Sequence, residues 1–307
     1  MSIHTSSIIS GTMNWGKWGR NFNLQAIQQF IATCVTEEIT TFDHADIYGG
    51  YTTEADFGTA WSEMNIDRDQ VQFITKCGIK LVCEERDYSI KHYDYTKEHI
   101  IWSVENSLKN LQTEYIDVLL LHRPSPLMET EVIAEAVSEL KNSGKILAFG
   151  LSNFTPSQTD LIKKYSFVAY NQIPFSATHL QPMLNGELDY MTLHNIQPMA
   201  WNPLGSVYKE AIPQTIRLKD LLLKLTLKYG LSDDLLLLAW VLKHPAAIQP
   251  VVGTTQIDRI KNLKKLQGFE LSRKSRATLN ASGNPVGFSC TAYLMSIPNC
   301  LPSPSSF

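Results

Sequence analysis

Eight short apolar runs, each closing on a polar residue, an aromatic residue or a glycine, punctuate the chain between residues 7 and 253. The first four are Ser7-Ile8-Ile9-Ser10 before Gly11, Ile39-Thr40-Thr41-Phe42 before Asp43, Val71-Gln72-Phe73-Ile74-Thr75 before Lys76, and Ile116-Asp117-Val118-Leu119-Leu120-Leu121 before His122. Then come Ile146-Leu147-Ala148-Phe149 before Gly150, Phe167-Val168-Ala169-Tyr170 before Asn171, Pro198-Met199-Ala200 before Trp201, and Gln249-Pro250-Val251-Val252 before Gly253. Apolar, partly β-branched runs of this length suit strands covered on both faces, as in a parallel sheet.

Helical patterns lie between the runs. Over residues 98–111, Ile101, Val104, Leu108 and Leu111 fall at spacings of three and four and make one apolar face. Val132, Ala136, Val137 and Leu140 do the same over residues 131–140. Thr155 is placed to cap a helix that opens with Pro156. Ser232 is placed to cap another over residues 233–243, ahead of Pro245. The leucine-rich stretch 218–243 reads as two helices meeting at Gly230.

Strand and helix in alternation dictate a parallel sheet with right-handed crossovers. Eight such units favour a single-domain α/β fold, the closed (β/α)8 TIM barrel, over residues 1–276. A doubly wound sheet is the competitor, but no Gly-x-Gly-x-x-Gly turn follows any of the runs. Residues 277–307 carry no charge and contain Gly283-Asn284-Pro285, so an extended C-terminal tail is expected there, not an amphipathic helix.

The charge balance narrows the function. A formal net charge of −3 gives no basic field for nucleic acid and no electrostatic pull toward a membrane. No apolar run reaches the roughly 18 residues of a membrane span, and residues 1–10 lack the pattern of a secretory signal. Cys34, Cys77, Cys83, Cys290 and Cys300 are odd in number and irregular in spacing, which reads as reduced thiols and not as a disulfide framework or zinc site. A cytoplasmic protein with no nucleic-acid partner, no membrane partner and no metal is expected.

In a (β/α)8 barrel the residues just after the strands line the C-terminal mouth, where active sites form. Asp43, Tyr48, Lys76 and His122, at or near successive expected strand ends, are chemically suggestive together. A tyrosine with an ordinary pKa near 10 is a sluggish acid at pH 7. A lysine ammonium beside it stabilises the phenolate and lowers that pKa. A carboxylate holds the lysine charged and in place, and a histidine donates a hydrogen bond to a carbonyl oxygen. Such a set can protonate that oxygen as a hydride reaches the carbon.

Several motifs resemble the aldo-keto reductase family. Phe42-Asp43-His44-Ala45-Asp46-Ile47-Tyr48-Gly49 has the family's spacing of aspartate, alanine and tyrosine-glycine. Thr75-Lys76-Cys77-Gly78, Leu119-Leu120-Leu121-His122-Arg123-Pro124 and Gly150-Leu151-Ser152-Asn153-Phe154 match its lysine, histidine and second-signature segments. The resemblance spans about residues 7–266, and segments 43–57 and 91–101 look most like bacterial oxidoreductases of the family. It implies an NADPH-dependent reductase acting on a small-molecule carbonyl substrate, an aldehyde or a ketone. Tyr48 would be the general acid, Lys76 its modulator, Asp43 the partner of Lys76 and His122 the carbonyl-orienting donor.

The resemblance also implies a cofactor site. Ser152, Asn153 and Gln172 would hold the nicotinamide carboxamide, and Trp201 would stack on the ring. Asn202-Pro203-Leu204-Gly205-Ser206 would run along the pyrophosphate, offering backbone amides. Gly253-Thr254-Thr255 with Arg259 would read the adenosine 2′-phosphate, favouring NADPH over NADH. The chain departs from the family in having Lys261-Asn262-Leu263 where many relatives carry Glu and Asn, and in its uncharged tail. Trp15, Trp18 and Tyr51 follow the first two strands and are candidates to line an apolar substrate pocket. A cofactor-binding regulatory protein of the same fold, and an unrelated barrel enzyme acting on phosphorylated substrates, are the alternatives.

Overall fold

Every barrel strand alternates its side chains between a central plug and a surrounding layer of helices, and this period of two positions the mouth. The computed structural model describes residues 3–284. The strands are β1 (Ile9–Gly11), β2 (Thr41–Asp43), β3 (Gln72–Cys77), β4 (Ile79–Lys80), β5 (His92–Tyr93), β6 (Ile116–Leu121), β7 (Ile146–Ser152), β8 (Tyr170–Pro174), β9 (Gln197–Trp201) and β10 (Gln249–Val252). Eight of them close into a parallel barrel in the order β1-β10-β9-β8-β7-β6-β3-β2, while β4 and β5 form a separate antiparallel pair.

The helices are α1 (Leu24–Thr36), α2 (Thr53–Ser62), α3 (Lys97–Leu111), α4 (Thr130–Asn142), α5 (Pro156–Lys163), α6 (Gln181–Leu184), α7 (Glu187–Leu193), α8 (Pro213–Tyr229), α9 (Asp233–Leu242), α10 (Ile257–Leu263) and α11 (Arg273–Gly283). Thr155 caps α5 as expected, its hydroxyl accepting from Gln158 N while the Gln158 side chain accepts from Thr155 N. Gly230 ends α8 in the left-handed conformation, at φ 68°, and separates it from α9. Ser232 precedes α9, but its hydroxyl bonds the Asp234 carboxylate instead of a helix amide.

Two apolar layers result. Ile9, Ile74, Val118, Leu120, Tyr170, Met199 and Val251 plug the barrel interior. Phe42, Phe57, Phe73 and Trp61 belong to the outer layer between strands and helices. Gly150 faces inward from β7, where an added Cβ would lie 2.7 Å from Leu120 Cδ2. The same parity that turns Ile74 inward turns Lys76 inward one layer higher. It does so again for Tyr170 and Gln172 on β8, and for Met199 and Trp201 on β9. The plug below therefore makes the floor of the polar cluster above.

The structure departs from the sequence reading in three further places. The β4–β5 hairpin was not anticipated. Strand β8 starts at Tyr170 and not Phe167, because Phe167 is 68% exposed and the inward face begins with Tyr170. The expected tail also begins too early: Ala277–Gly283 are the end of α11, whose Leu279 is buried and whose Asn280 accepts from Trp240 Nε1 at 2.6 Å. The remainder of the tail, with Cys290 and Cys300, lies outside the described residues. Cys34, Cys77 and Cys83 are free. No helix among the described residues is long and apolar enough to cross a membrane.

Candidate active site

Lys76 organises the mouth. Its ammonium has three hydrogens, and the neighbours take them all. Nζ lies 2.7 and 2.8 Å from the Asp43 carboxylate oxygens, 2.7 Å from the His44 carbonyl and 3.2 Å from Tyr48 Oη. Because Lys76 donates to the phenol oxygen, Tyr48's own hydrogen is left for the cavity. His122 completes the set, its ring 6.1 Å from that of Tyr48 and tilted at 77°. The structure brings together all four residues singled out from the strand ends, and all four are buried.

Burial and charge set the protonation states. Burial pulls the Lys76 pKa down, but the Asp43 charge and Tyr48 outweigh it, so the group is held above its ordinary value and stays cationic. Burial pushes the Tyr48 phenol up, and this wins over the Lys76 charge that pulls it down. The lowered phenol pKa expected from the lysine is thus reversed: at neutral pH the phenol keeps its proton. Burial, then the charges of Lys76, Arg123 and Lys91, push His122 well below its ordinary value, so its imidazole is neutral. His122 Nδ1 is buried with no hydrogen-bond partner among the described residues.

A cavity of about 620 Å³ runs from this cluster across the mouth to Arg259, within the size range of ligand sites. Ser152, Gln172 and Trp201 line its inner end. Gln172 Nε2 donates to Asp43 Oδ1 at 2.8 Å, which leaves the side-chain oxygen Oε1 of Gln172 for a ligand. Asn153 sits one layer out and does not line the cavity. Its Nδ2 donates to Ser152 Oγ at 2.7 Å, and its Oδ1 accepts from Trp201 Nε1 at 2.9 Å. It fixes the indole that the carboxamide site would adjoin.

Asn202, Pro203, Leu204 and Gly205 line the middle of the cavity. Gly205 has φ +59°, and a Cβ there would meet Thr178 Oγ1 at 2.0 Å, so only glycine fits. The expected amide donors here are partly used within the chain. Gly205 N bonds Asn202 O at 2.8 Å, and Ser206 N bonds Thr178 Oγ1 at 3.0 Å. At the far end Gly253, Thr254 and Arg259 line the cavity, whereas Thr255 does not. Arg259 is exposed on α10 and makes no ion pair among the described residues.

The three candidate substrate residues separate. Trp18 lines the cavity, its ring 6.1 Å from that of Tyr48. Trp15 does not. It is 1% exposed in the outer core, with Phe30 at 5.2 Å and Phe57 at 6.1 Å, because the turn after β1 folds it back under the helices. Tyr51 is also off the cavity, its hydroxyl donating to Ile79 O and accepting from Leu81 N, so it anchors the hairpin. The sequence reading missed Lys91, Tyr93, Arg123 and Tyr208, which all line the cavity. Only Arg123 carried a signal, as the neighbour of His122 at a strand end. No cluster of three or more His, Cys, Asp or Glu that could hold a metal ion occurs among the described residues.

The residues present fit an extended dinucleotide. One continuous cavity joins the polar cluster, the side-chain oxygen of Gln172 and a flat indole at one end to the guanidinium of Arg259, which makes no ion pair among the described residues, at the other. The profile of the aldo/keto reductase family matches residues 7–284. The oxidoreductase YcsN of Bacillus subtilis is 42% identical over 277 residues, covering 88% of this chain and 92% of its own. A 6-dehydroglucose reductase of Agrobacterium fabrum is 38% identical over 240 residues, covering 76% and 80%. The oxidoreductase YdhF of Escherichia coli is 36% identical over 264 residues, covering 85% and 88%.

Proposed function

The chain belongs to the aldo/keto reductase family and is an NAD(P)H-dependent oxidoreductase, and on that premise we propose that it reduces aldehydes or ketones to alcohols with NADPH, Tyr48 supplying the proton. One observation carries the reading. Lys76 spends all three hydrogens on Asp43, His44 O and Tyr48 Oη, so the phenol proton faces the cavity with no acceptor of its own.

The nicotinamide, when bound, supplies the hydride. Ser152 and Gln172 hold its carboxamide, and Trp201, fixed by Asn153, offers the flat face. Arg259 and Thr254 take the 2′-phosphate that distinguishes NADPH from NADH. The neutral imidazole of His122 donates to the substrate carbonyl oxygen and aims it at Tyr48. As negative charge grows on that oxygen, Tyr48 gives up its proton and Lys76 stabilises the phenolate left behind. Asp43 keeps Lys76 in register throughout.

Titration with NADPH, followed by quenching of tryptophan fluorescence, tests binding, because Trp18 and Trp201 line the cavity. A panel of aldehydes, ketones and quinones, with 6-dehydroglucose among them, tests turnover by NADPH oxidation. Saturable quenching with turnover on the panel is expected. Binding without turnover on any member would shift the reading to a cofactor-binding regulatory protein.

A further inference from the structure

The reacting end of the cavity carries two cations that the chemistry above does not use. Arg123 directly follows His122, and Tyr95 pins its backbone: Tyr95 Oη donates to Arg123 O and accepts from Arg123 N. The half-buried guanidinium then lies over the Trp201 indole, 5.6 Å from the ring centroid. It has no carboxylate partner among the described residues, and the groups that face it electrostatically are the phenols of Tyr93, Tyr48 and Tyr95. Lys91, at the start of the hairpin's second arm, lines the same end and makes no ion pair among the described residues.

A half-buried, unpaired guanidinium in a cavity wall is costly unless something anionic meets it. Its planar fork matches the two oxygens of a carboxylate. The lining at this end adds Trp18 and Ile47, which cover the carbon skeleton between two polar ends. The one carboxylate of the reactive cluster, Asp43, is taken by Lys76 and Gln172. Resting on the carbonyl-reductase reading, we propose that the substrate carries an anionic group, a carboxylate, remote from its carbonyl, bound by Arg123 with support from Lys91.

Matched substrate pairs test this: 4-carboxybenzaldehyde against benzaldehyde, and succinic semialdehyde against butanal, each with NADPH. The expected result is a kcat/KM preference of about ten- to a hundredfold for the acid in at least one pair. Arg123→Met should collapse that ratio toward one, and Lys91→Met should reduce it a few-fold. A second readout needs no turnover. Calorimetry of the NADPH-loaded protein with 4-(hydroxymethyl)benzoate and with benzyl alcohol should show tighter binding of the acid, lost in Arg123→Met. Turnover of the neutral aldehydes with no preference for either acid overturns the proposal and leaves the reductase reading standing. So does an Arg123→Met that weakens NADPH itself while the acid-to-neutral ratio persists, since Arg123 would then be a cofactor contact. If neither these aldehydes nor any member of the wider carbonyl panel turns over, the reductase reading fails, and equal binding of the acid and the alcohol sinks the anion site as well.

Discussion

Two ion pairs stand at opposite ends of the barrel, one half-buried and one fully buried, and they are wired differently. At the base, Arg68 reaches Asp117 Oδ2 at 2.6 Å, Thr113 Oγ1 at 2.7 Å, and the carbonyls of Val71 and Tyr115 at 2.8 and 2.9 Å. Asp117 also accepts from Phe73 N at 2.8 Å, and the rings of Phe73 and Tyr115 flank the guanidinium at 4.2 and 4.0 Å. The contacts to Val71 O and the Phe73 ring stay on the β3 side, and the others tie the approach to β3 to the start of β6. At the mouth, Lys76 and Asp43 are as well satisfied, yet their network ends on a phenol whose proton is uncommitted. The base pair is closed upon itself and holds strands together. The mouth pair is open at one atom, and that atom is where chemistry can occur.

The largest expected effect removes the open atom. Tyr48→Phe should bind NADPH as the wild type does and lose reduction by about 10²–10⁴-fold, the usual worth of a positioned general acid. Undiminished turnover in this variant would end the assignment. The next pair of variants sets one end against the other. Lys76→Met strands the buried Asp43 charge, a change that typically costs roughly 3–5 kcal/mol, and Asp117→Ala strands the half-buried Arg68 for less, each visible as a lower denaturation midpoint. Only Lys76→Met should also slow each folded molecule at pH 7. If Asp117→Ala slows turnover equally under folding conditions, the division of labour between the two ends is wrong.

A smaller effect belongs to the far, exposed end of the cavity. Arg259→Ala should weaken NADPH by about ten- to a hundredfold and leave NADH nearly unchanged, because a charge-assisted hydrogen bond is worth roughly 1.5–3 kcal/mol. Dissociation constants for both cofactors decide it, and an equal effect on the two would show that Arg259 does not read the phosphate. The gentlest test is pH. Burial holds the Tyr48 phenol above its ordinary value, so the acid form persists from neutral pH to about 10 and is lost only above that. The reductive rate should show no loss from this group until beyond pH 10. An earlier fall that Lys76→Met shifts upward would mean that the lysine, and not burial, dominates once cofactor and substrate are in place.

The sequence made the mouth legible because the residues proposed to react close apolar runs. Asp43, Lys76 and His122 each close a mostly apolar run, and an ionisable residue at the mouth end of a buried strand demands a reason. Thr155 and Gly230 were legible for a similar local cause, the backbone chemistry of helix ends. The hairpin was not, because β4 and β5 are two residues each and His92 and Tyr93 are exposed, so no alternation marks them. Trp15 and Trp18 look alike in sequence but part company in space, one into the core and one onto the cavity, since a single turn decides which way each ring goes. Lys91 and Arg123 come from segments that meet only once the hairpin folds over the mouth. Asn153 gave its position but not its role, because its bond to Trp201 crosses 48 residues.

The closing seam of the barrel has a consequence for how the protein is made. Ile9 pairs with Val251 and Ser10 with Val252, so the first strand waits for nearly the whole chain before it finds its second neighbour. Asp43, Tyr48, Lys76 and His122 all emerge from the ribosome long before that. Until β10 arrives, β1 and β9 each present an unpaired edge, the surface on which chains misassociate. Contacts so distant in sequence are also slow to form. Synthesis therefore delivers the reactive residues early and the enclosure last. A chain halted before residue 249 would carry all four side chains proposed to react and no closed mouth in which to use them.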